Sequence, residues 1–177
     1  FDCDLLVASA GEVPLSVLLH VAGTPMIYDS LTARYLPKEL PPGIQAAGRV
    51  LALDNTETIE VQGKLAGLKA LQDVGLDVST ELEATRDALA SLPGSKPGLN
   101  GVYSLDRAHK SFVSFDEDVT VNQVGQAIDE GFDQPELVKR YTSAGTGPSQ
   151  SYLSGYNLPM LVAAKRGLSF GDVLPST

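Results

Sequence analysis

The chain has 177 residues, 43% of them hydrophobic and 20% charged, a composition that belongs to a folded globular protein and excludes wholesale disorder, a collagen-like repeat or a coiled-coil rod. With 13 basic against 22 acidic residues the formal charge is -9, so the chain as a whole offers no footprint for nucleic acid or an anionic membrane, and any anion site has to be local. A single cysteine, Cys3, rules out an intrachain disulfide framework and a multi-thiolate zinc or iron–sulfur site.

The run Leu5-Leu6-Val7-Ala8, bounded by Asp4 and Ser9-Ala10-Gly11, has the pattern of an interior parallel strand buried on both faces. Pro14 can open a short helix whose stripe is Leu15, Leu18 and Leu19, ending near His20 and stopped by Gly23. Met26-Ile27-Tyr28 suits a short strand, after which Pro37, Pro41 and Pro42 break regular structure up to Gly43. Ile44-Gln45-Ala46-Ala47-Gly48 is a second short apolar run. It precedes a helix over 56–72, for which Asp54 and Glu57 have capping-box spacing and Val61, Leu65 and Leu68 form a face. Gly63 and Gly67 inside that helix imply a close approach, either of a packed sheet or of a cofactor. A further helix is expected over 79–92, opened by Thr80 and Glu83.

Residues 93–101 are dense in glycine and proline and mark a boundary. Beyond it, Ser111-Phe112-Val113-Ser114-Phe115 alternates like a strand. Thr120 and Gln123 can cap a helix with Val121, Val124, Ala127 and Ile128 on one face and Gly131 as its stop. Pro135 suits the first turn of the next helix, with Lys139 and Arg140 in its last turn, where cations favour the carbonyl end of the dipole. A final helix is expected after Asn157, with Pro159 in its first turn and Gly167 as its stop.

The richest chemistry lies in 139–151. Lys139, Arg140, Thr142, Gly145, Gly147 and Gln150 supply charge, donors and a backbone able to turn its amides toward an anion. The same composition also makes an ordinary turn after a helix, and the sequence alone leaves both open. No Gly-x-Ser-x-Gly occurs, neither His20 nor His109 is placed beside a nucleophile, and the two are too far apart to suggest a metal site. Asp116 and Asp118 suit a turn better than a general acid and base. Neither Gly-x-Gly-x-x-Gly nor Gly-x-x-x-x-Gly-Lys is present. No apolar run approaches the roughly 20 residues of a membrane span. Phe1-Asp2-Cys3-Asp4 lacks the basic start of a signal peptide, so a cytoplasmic protein without a membrane segment is expected. Lacking an initiator Met, the sequence reads as an internal piece of a longer chain.

Three stretches in this order resemble the α subunit of the heterotetrameric sarcosine oxidases, a family related to amine- and opine-type flavoprotein dehydrogenases. The opening strand with its Pro14 helix is one, and the segment from Ile44 through Gly48-Arg49-Val50 into the 58–71 helix is another. The third is the most specific: Phe112-Val113-Ser114-Phe115-Asp116-Glu117-Asp118-Val119-Thr120, then Glu130-Gly131-Phe132, then Lys139-Arg140-Tyr141-Thr142, is similar to the family's V-D-F-x-x-D-V-T, E-G-F and K-R-Y-T motifs. The following loop departs from the family pattern, with Thr146 for Met, Ser151 for Gly and Tyr152-Leu153 for Lys-Thr.

The resemblance implies an α/β fold, the end of a Rossmann-like FAD/NAD(P)-binding domain followed by a small mainly helical module. Residues 1–92 would be the partial dinucleotide-binding region, 93–110 a linker and 111–177 the helical module. It implies a parent that oxidises an N-methyl amine such as sarcosine, with FMN at a contact with a β subunit, NAD in the full assembly, and no catalytic residue in this segment. Lys139, Arg140, Thr142, Gly145, Gly147 and Gln150 would then approach the flavin phosphate, and Gly48 and Asp54 the dinucleotide. Relatives with an iron–sulfur cluster carry cysteines around this loop; none is present here, so neither a cluster nor another metal is expected. The segment alone is expected to be inactive. The alternative is a non-catalytic module that binds no cofactor and only docks a partner subunit.

Overall fold

A computed structural model of the chain describes residues 2–5, 7, 13–98, 110–148, 150–152 and 154–175. Pro14 leads into the short helix α1 (Val17–Val21), which ends where Gly23 takes φ +76 and donates its N–H to the His20 carbonyl. The next two segments form a hairpin that the prolines disguise in the sequence. In it β1 (Met26–Asp29) pairs antiparallel with β2 (Arg34–Pro37), setting Met26 opposite Pro37 and Tyr28 opposite Tyr35. Asp29 ties its turn, accepting from the Thr32 N–H at 3.0 Å and the Thr32 hydroxyl at 2.6 Å. Pro37 is tolerated because it closes an edge strand.

The segment expected to be an interior parallel strand differs from that expectation, and the second apolar run forms no strand either. Leu5 and Val7 are exposed and outside any strand, and Leu6 and Ala8 lie outside the described residues. Residues 44–47 are irregular and run into a 3-10 turn, Gly48–Leu51, because Gly48 at φ +81 and Ala52 at φ +58 turn the chain away from any extended path. Among the described residues the strands form two antiparallel two-stranded sheets.

Helix α2 (Thr56–Asp73) is capped by Asn55, whose side-chain oxygen accepts from the Thr58 N–H at 3.1 Å. Asp54 does not act as the cap; it pairs instead with Arg34 of the hairpin at 3.6 Å. Helix α3 (Ser79–Ala90) packs on α2, with Leu65 of one and Leu82 of the other buried. Its start is held by Asp77, which accepts from the Ser79 N–H and hydroxyl, so Thr80 falls inside the first turn and the expected Thr80–Glu83 box does not form. Gly63 and Gly67 are exposed, with open space where a Cβ would stand. Among the described residues no sheet approaches them.

The last third builds the main core. Strands β3 (Phe112–Ser114) and β4 (Val119–Thr120) form a short bulged hairpin. It delivers the chain into α4 (Val121–Asp129) through the expected capping box: the Gln123 N–H donates to Thr120, and Gln123 in turn accepts from the Thr120 N–H at 2.8 Å. Helix α5 (Pro135–Thr142) begins on Pro135. Helix α6 (Ser154–Arg166) starts three residues before Asn157, so Pro159 lies inside it and cannot donate to the Gly155 carbonyl. Val121, Val124, Ala127 and Ile128 of α4 meet Val138 of α5 and Leu158, Leu161, Val162 and Ala163 of α6. Each fully buried aliphatic side chain here contributes about 1.5–3 kcal/mol.

The N-terminal hairpin is fastened to this module by aromatic packing. Met26, Tyr35 and Met160 form a second buried cluster, joined by Tyr28, Tyr156 and Phe170. The Tyr35 hydroxyl donates to the Val173 carbonyl at 2.6 Å and the Phe170 carbonyl at 2.9 Å. Tyr156 donates to the Ala33 carbonyl. Among the described residues no helix is long and apolar enough to cross a membrane, and no three His, Cys, Asp or Glu side chains gather as metal ligands.

Candidate functional site

Where α5 ends, the chain has to turn back to start α6, and it does so through a series of left-handed residues. Ser143 (φ +65) and Gly145 (φ +80) turn the loop once, and Gln150 (φ +47) and Ser151 (φ +66) turn it again. Two successive non-glycine residues in that region cost of order 1–3 kcal/mol each. The loop is held by its own hydrogen bonds: Thr146 to the Ser143 carbonyl, the Gln150 backbone and side-chain amides to the Gly147 carbonyl, and the Ser151 hydroxyl to the Gly145 carbonyl at 3.0 Å.

This loop forms one wall of a cavity of about 320 Å³. Gly145, Gln150, Ser151 and Tyr152 of the loop line it together with Lys139 of α5 and Gly155 and Tyr156 of α6. Facing them are the segment from Val13 to Val17, His20 of α1 and Tyr35 of β2. The walls are mainly apolar and aromatic, with one ammonium, one imidazole and a few amide and hydroxyl groups, the mixture that binds a small organic ligand. Burial lowers the His20 pKa below its ordinary value of 6.5.

Three residues singled out from the sequence thus meet at the cavity: Lys139, Gly145 and Gln150. The others are placed differently. Arg140 is 75% exposed and pairs with Glu136 at 3.0 Å, whereas Lys139 is 13% exposed and stands 3.9 Å from the same carboxylate. The Thr142 hydroxyl donates back to the Val138 carbonyl at 2.7 Å. The Gly147 N–H donates to a carboxylate oxygen of Glu117. Gly48 and Asp54 lie at the approach to α2, outside the cavity lining; the Gly48 N–H donates to the Gln62 side-chain oxygen at 2.7 Å. His20, Tyr35 and Tyr156 were not legible as cavity residues, because each arrives from an element distant in sequence. Cys3 is exposed, and His109 lies outside the described residues.

Comparison with solved structures shows the fold. The chain shares the fold of a dehydrogenase, matching the crystal structure of L-proline dehydrogenase from P. horikoshii with a TM-score of 0.77 at 20% identity, over 94% of this chain and 35% of the other. This is a likeness of fold, and it agrees with the expected α/β class. A family model for the sarcosine oxidase A3 domain matches residues 108–177. The alpha subunit of sarcosine oxidase from Rhizobium meliloti (strain 1021) is 28% identical over 183 residues, covering 98% of this chain and 17% of the relative. An opine oxidase subunit from Agrobacterium tumefaciens (strain Ach5) is 28% identical over 182 residues, covering 92% of this chain and 36% of the relative. The chain is thus similar to sarcosine and opine oxidase subunits, of which it spans well under half the length, and its residues 108–177 match the sarcosine oxidase A3 domain.

Proposed function

We propose that this chain is part of the alpha subunit of a flavin-dependent amine oxidoreductase, of the kind that oxidatively demethylates an N-methyl amine such as sarcosine. Its own part is to help hold a cofactor and to contact a β subunit. The observation that carries the reading is the meeting of Lys139, Gly145 and Gln150 with His20, Tyr35 and Tyr156 around one cavity. Similarity to sarcosine and opine oxidase subunits supports it. In this reading residues 1–92 finish a dinucleotide-binding region, 93–110 link it, and 111–177 are the helical module.

The residues fit a flavin mononucleotide in two respects. The half-buried Tyr156, backed by the buried Tyr35, offers a ring to an aromatic system, and Lys139 offers a cation to an anionic group. At about 320 Å³ the cavity is at the small end for organic ligands, which suits a mononucleotide better than a dinucleotide. NAD, if the assembly carries it, belongs near Gly48 and Asp54. A bound flavin would supply the hydride acceptor, and the protein's residues position it and exclude water. No residue of this segment is assigned a role in amine oxidation, and the segment alone is expected to be inactive.

Calorimetric titration of FMN, FAD and NAD, with and without a candidate β subunit, tests the reading. FMN binding that depends on the partner is the expected result. Lys139→Ala should lower flavin retention while Arg140→Ala, at an exposed side chain, leaves it unchanged; equal effects of the two, or none, would sink the assignment. The rival reading, a docking module without a cofactor, draws on the exposed Leu18 and Val21 of α1 beside the cavity. Partner binding with no cofactor under any condition would favour it.

A further inference from the structure

The loop after α5 has the geometry of an anion nest, and the chain fills that nest with its own carboxylate. Glu117 sits in the turn of the β3–β4 hairpin, thirty residues before the loop. The hairpin turn, with Asp118 at φ +54, brings its side chain onto the loop backbone. One carboxylate oxygen accepts from the Gly147 N–H and the other from the Ser114 hydroxyl, and the nearby Gly145 amide helps to lower the pKa of the group. These donors hold the Glu117 carboxyl below the usual carboxylate range, the Ser114 hydroxyl most of all. The fit is close. A Cβ on Gly147 would stand 2.5 Å from the Glu117 oxygen and 2.8 Å from the Asp116 Cβ, so the absence of a side chain at 147 is what lets the carboxylate reach the amide.

We propose that Glu117 is a resident anion that occupies the Gly147 amide beside Gly145, setting the cavity loop by internal charge and steering the anionic end of a ligand away from this part of the loop toward Lys139. The proposal rests on the cavity being a ligand site, and it makes Glu117 a determinant of which ligands that site accepts. An amide committed to a carboxylate cannot serve a phosphate, and the Asp116 and Glu117 charges together repel one. Glycine-loop chemistry that looks phosphate-binding in the sequence is thereby closed to free phosphate. The left-handed turns that aim the amides remain intact, because Glu117 satisfies them.

The test uses the 15N-labelled full chain and inorganic phosphate as the probe. In the wild type, phosphate should leave the Gly145 and Gly147 amide resonances in place. In Glu117→Ala, the same titration should shift both saturably, with apparent affinity at least about tenfold tighter than any wild-type response, as expected for removing an adjacent like charge and freeing the Gly147 donor. Glu117→Asp, too short to reach the nest but still charged, should show little phosphate response. Saturable movement of the two wild-type amides, or none in Glu117→Ala with an unchanged far-UV circular dichroism spectrum, would overturn the proposal. If Glu117→Ala does not fold, Glu117→Ser gives the same readout, since it removes the charge and is too short to reach the Gly147 amide. FMN and riboflavin titrations of the same proteins separate this idea from the wider function. Failure of both flavins to bind, with the phosphate response as expected, counts against the flavin site and leaves the resident anion standing.

Discussion

Replacing Tyr35 by Phe should weaken the attachment of the N-terminal hairpin to the helical module without disturbing the packing of either. Tyr35 is 3% exposed, and its hydroxyl donates to two backbone carbonyls from the C-terminal end of the chain, Val173 at 2.6 Å and Phe170 at 2.9 Å. Phe keeps the ring, and with it the edge-to-face contacts with Tyr28 at 5.4 Å and Tyr156 at 6.0 Å, so the variant isolates the hydroxyl. What is lost is a buried hydrogen bond, and what remains is a pair of buried acceptors with less to accept. The expected cost is about 2 kcal/mol. For a chain of this size that lowers Tm by about 4–8 °C. Urea unfolding followed by far-UV circular dichroism measures it directly, since the chain has no Trp to report by fluorescence. The slope with denaturant should not change, because the same surface is exposed on unfolding. Tyr152→Phe, at a residue 52% exposed, is the control and should stay within about 0.5 kcal/mol of wild type. A Tyr35→Phe variant equally close to wild type would refute the reasoning that this hydroxyl joins the two parts.

Gly98→Ala should be among the most damaging single-methyl changes. Its Cβ would overlap the Thr32 carbonyl oxygen, a backbone atom that cannot swing aside, and the Gly98 N–H bond to Leu31 at 2.8 Å would be lost as the segment moves away; a loss of at least about 2 kcal/mol is expected by denaturant titration. Thr120→Ala removes the cap of α4 and should cost about 1 kcal/mol in the same assay, with Thr120→Ser recovering most of it. The His20 imidazole should titrate below 6.5 in the folded chain, as followed by proton NMR, because burial disfavours its charged form. As pH falls the unfolded chain then takes up this proton first. Stability linked to His20 is therefore full above 6.5 and is lost as pH drops through the lower folded-state value; a folded midpoint at or above 6.5 would contradict this.

What could be read in the sequence was set by local rules. The start of α4 follows from Thr120 and Gln123 alone, and its inward face from the spacing of Val121, Val124, Ala127 and Ile128, so both were legible and both occur. One-residue shifts arose where two polar residues compete for one cap: Asn55 caps α2 because Asp54 is drawn to Arg34, a partner twenty residues away. The β1–β2 hairpin was not legible. Its second strand ends in Pro37, and its stability comes from Tyr35 meeting Val173 and Phe170 across most of the chain length. The apolar runs at 5–8 and 44–48 match the pattern of buried strands, but pattern alone cannot supply a neighbouring strand to pair with, and pairing is what makes a strand.

The loop from 139 to 151 shows where sequence chemistry and structure part. Composition identified donors able to approach an anion, and the structure has one of them, the Gly147 N–H, on a carboxylate. Which anion was a different question, because the nearest one in space, Glu117, is thirty residues away in sequence and belongs to the turn of a hairpin. The two adjacent cations divide in the same way. Lys139 and Arg140 are equivalent as helix-end charges, but one helical position is a rotation of about 100°. That rotation sends Lys139 to the cavity and leaves Arg140 in solvent with Glu136. A charge that faces a cavity lined by Tyr35, Tyr156 and His20 can select a ligand; the same charge one residue later can only tune solubility and a weak surface ion pair. Comparing Lys139→Ala with Arg140→Ala therefore weighs location against charge, since both substitutions remove one positive charge from the same helix end.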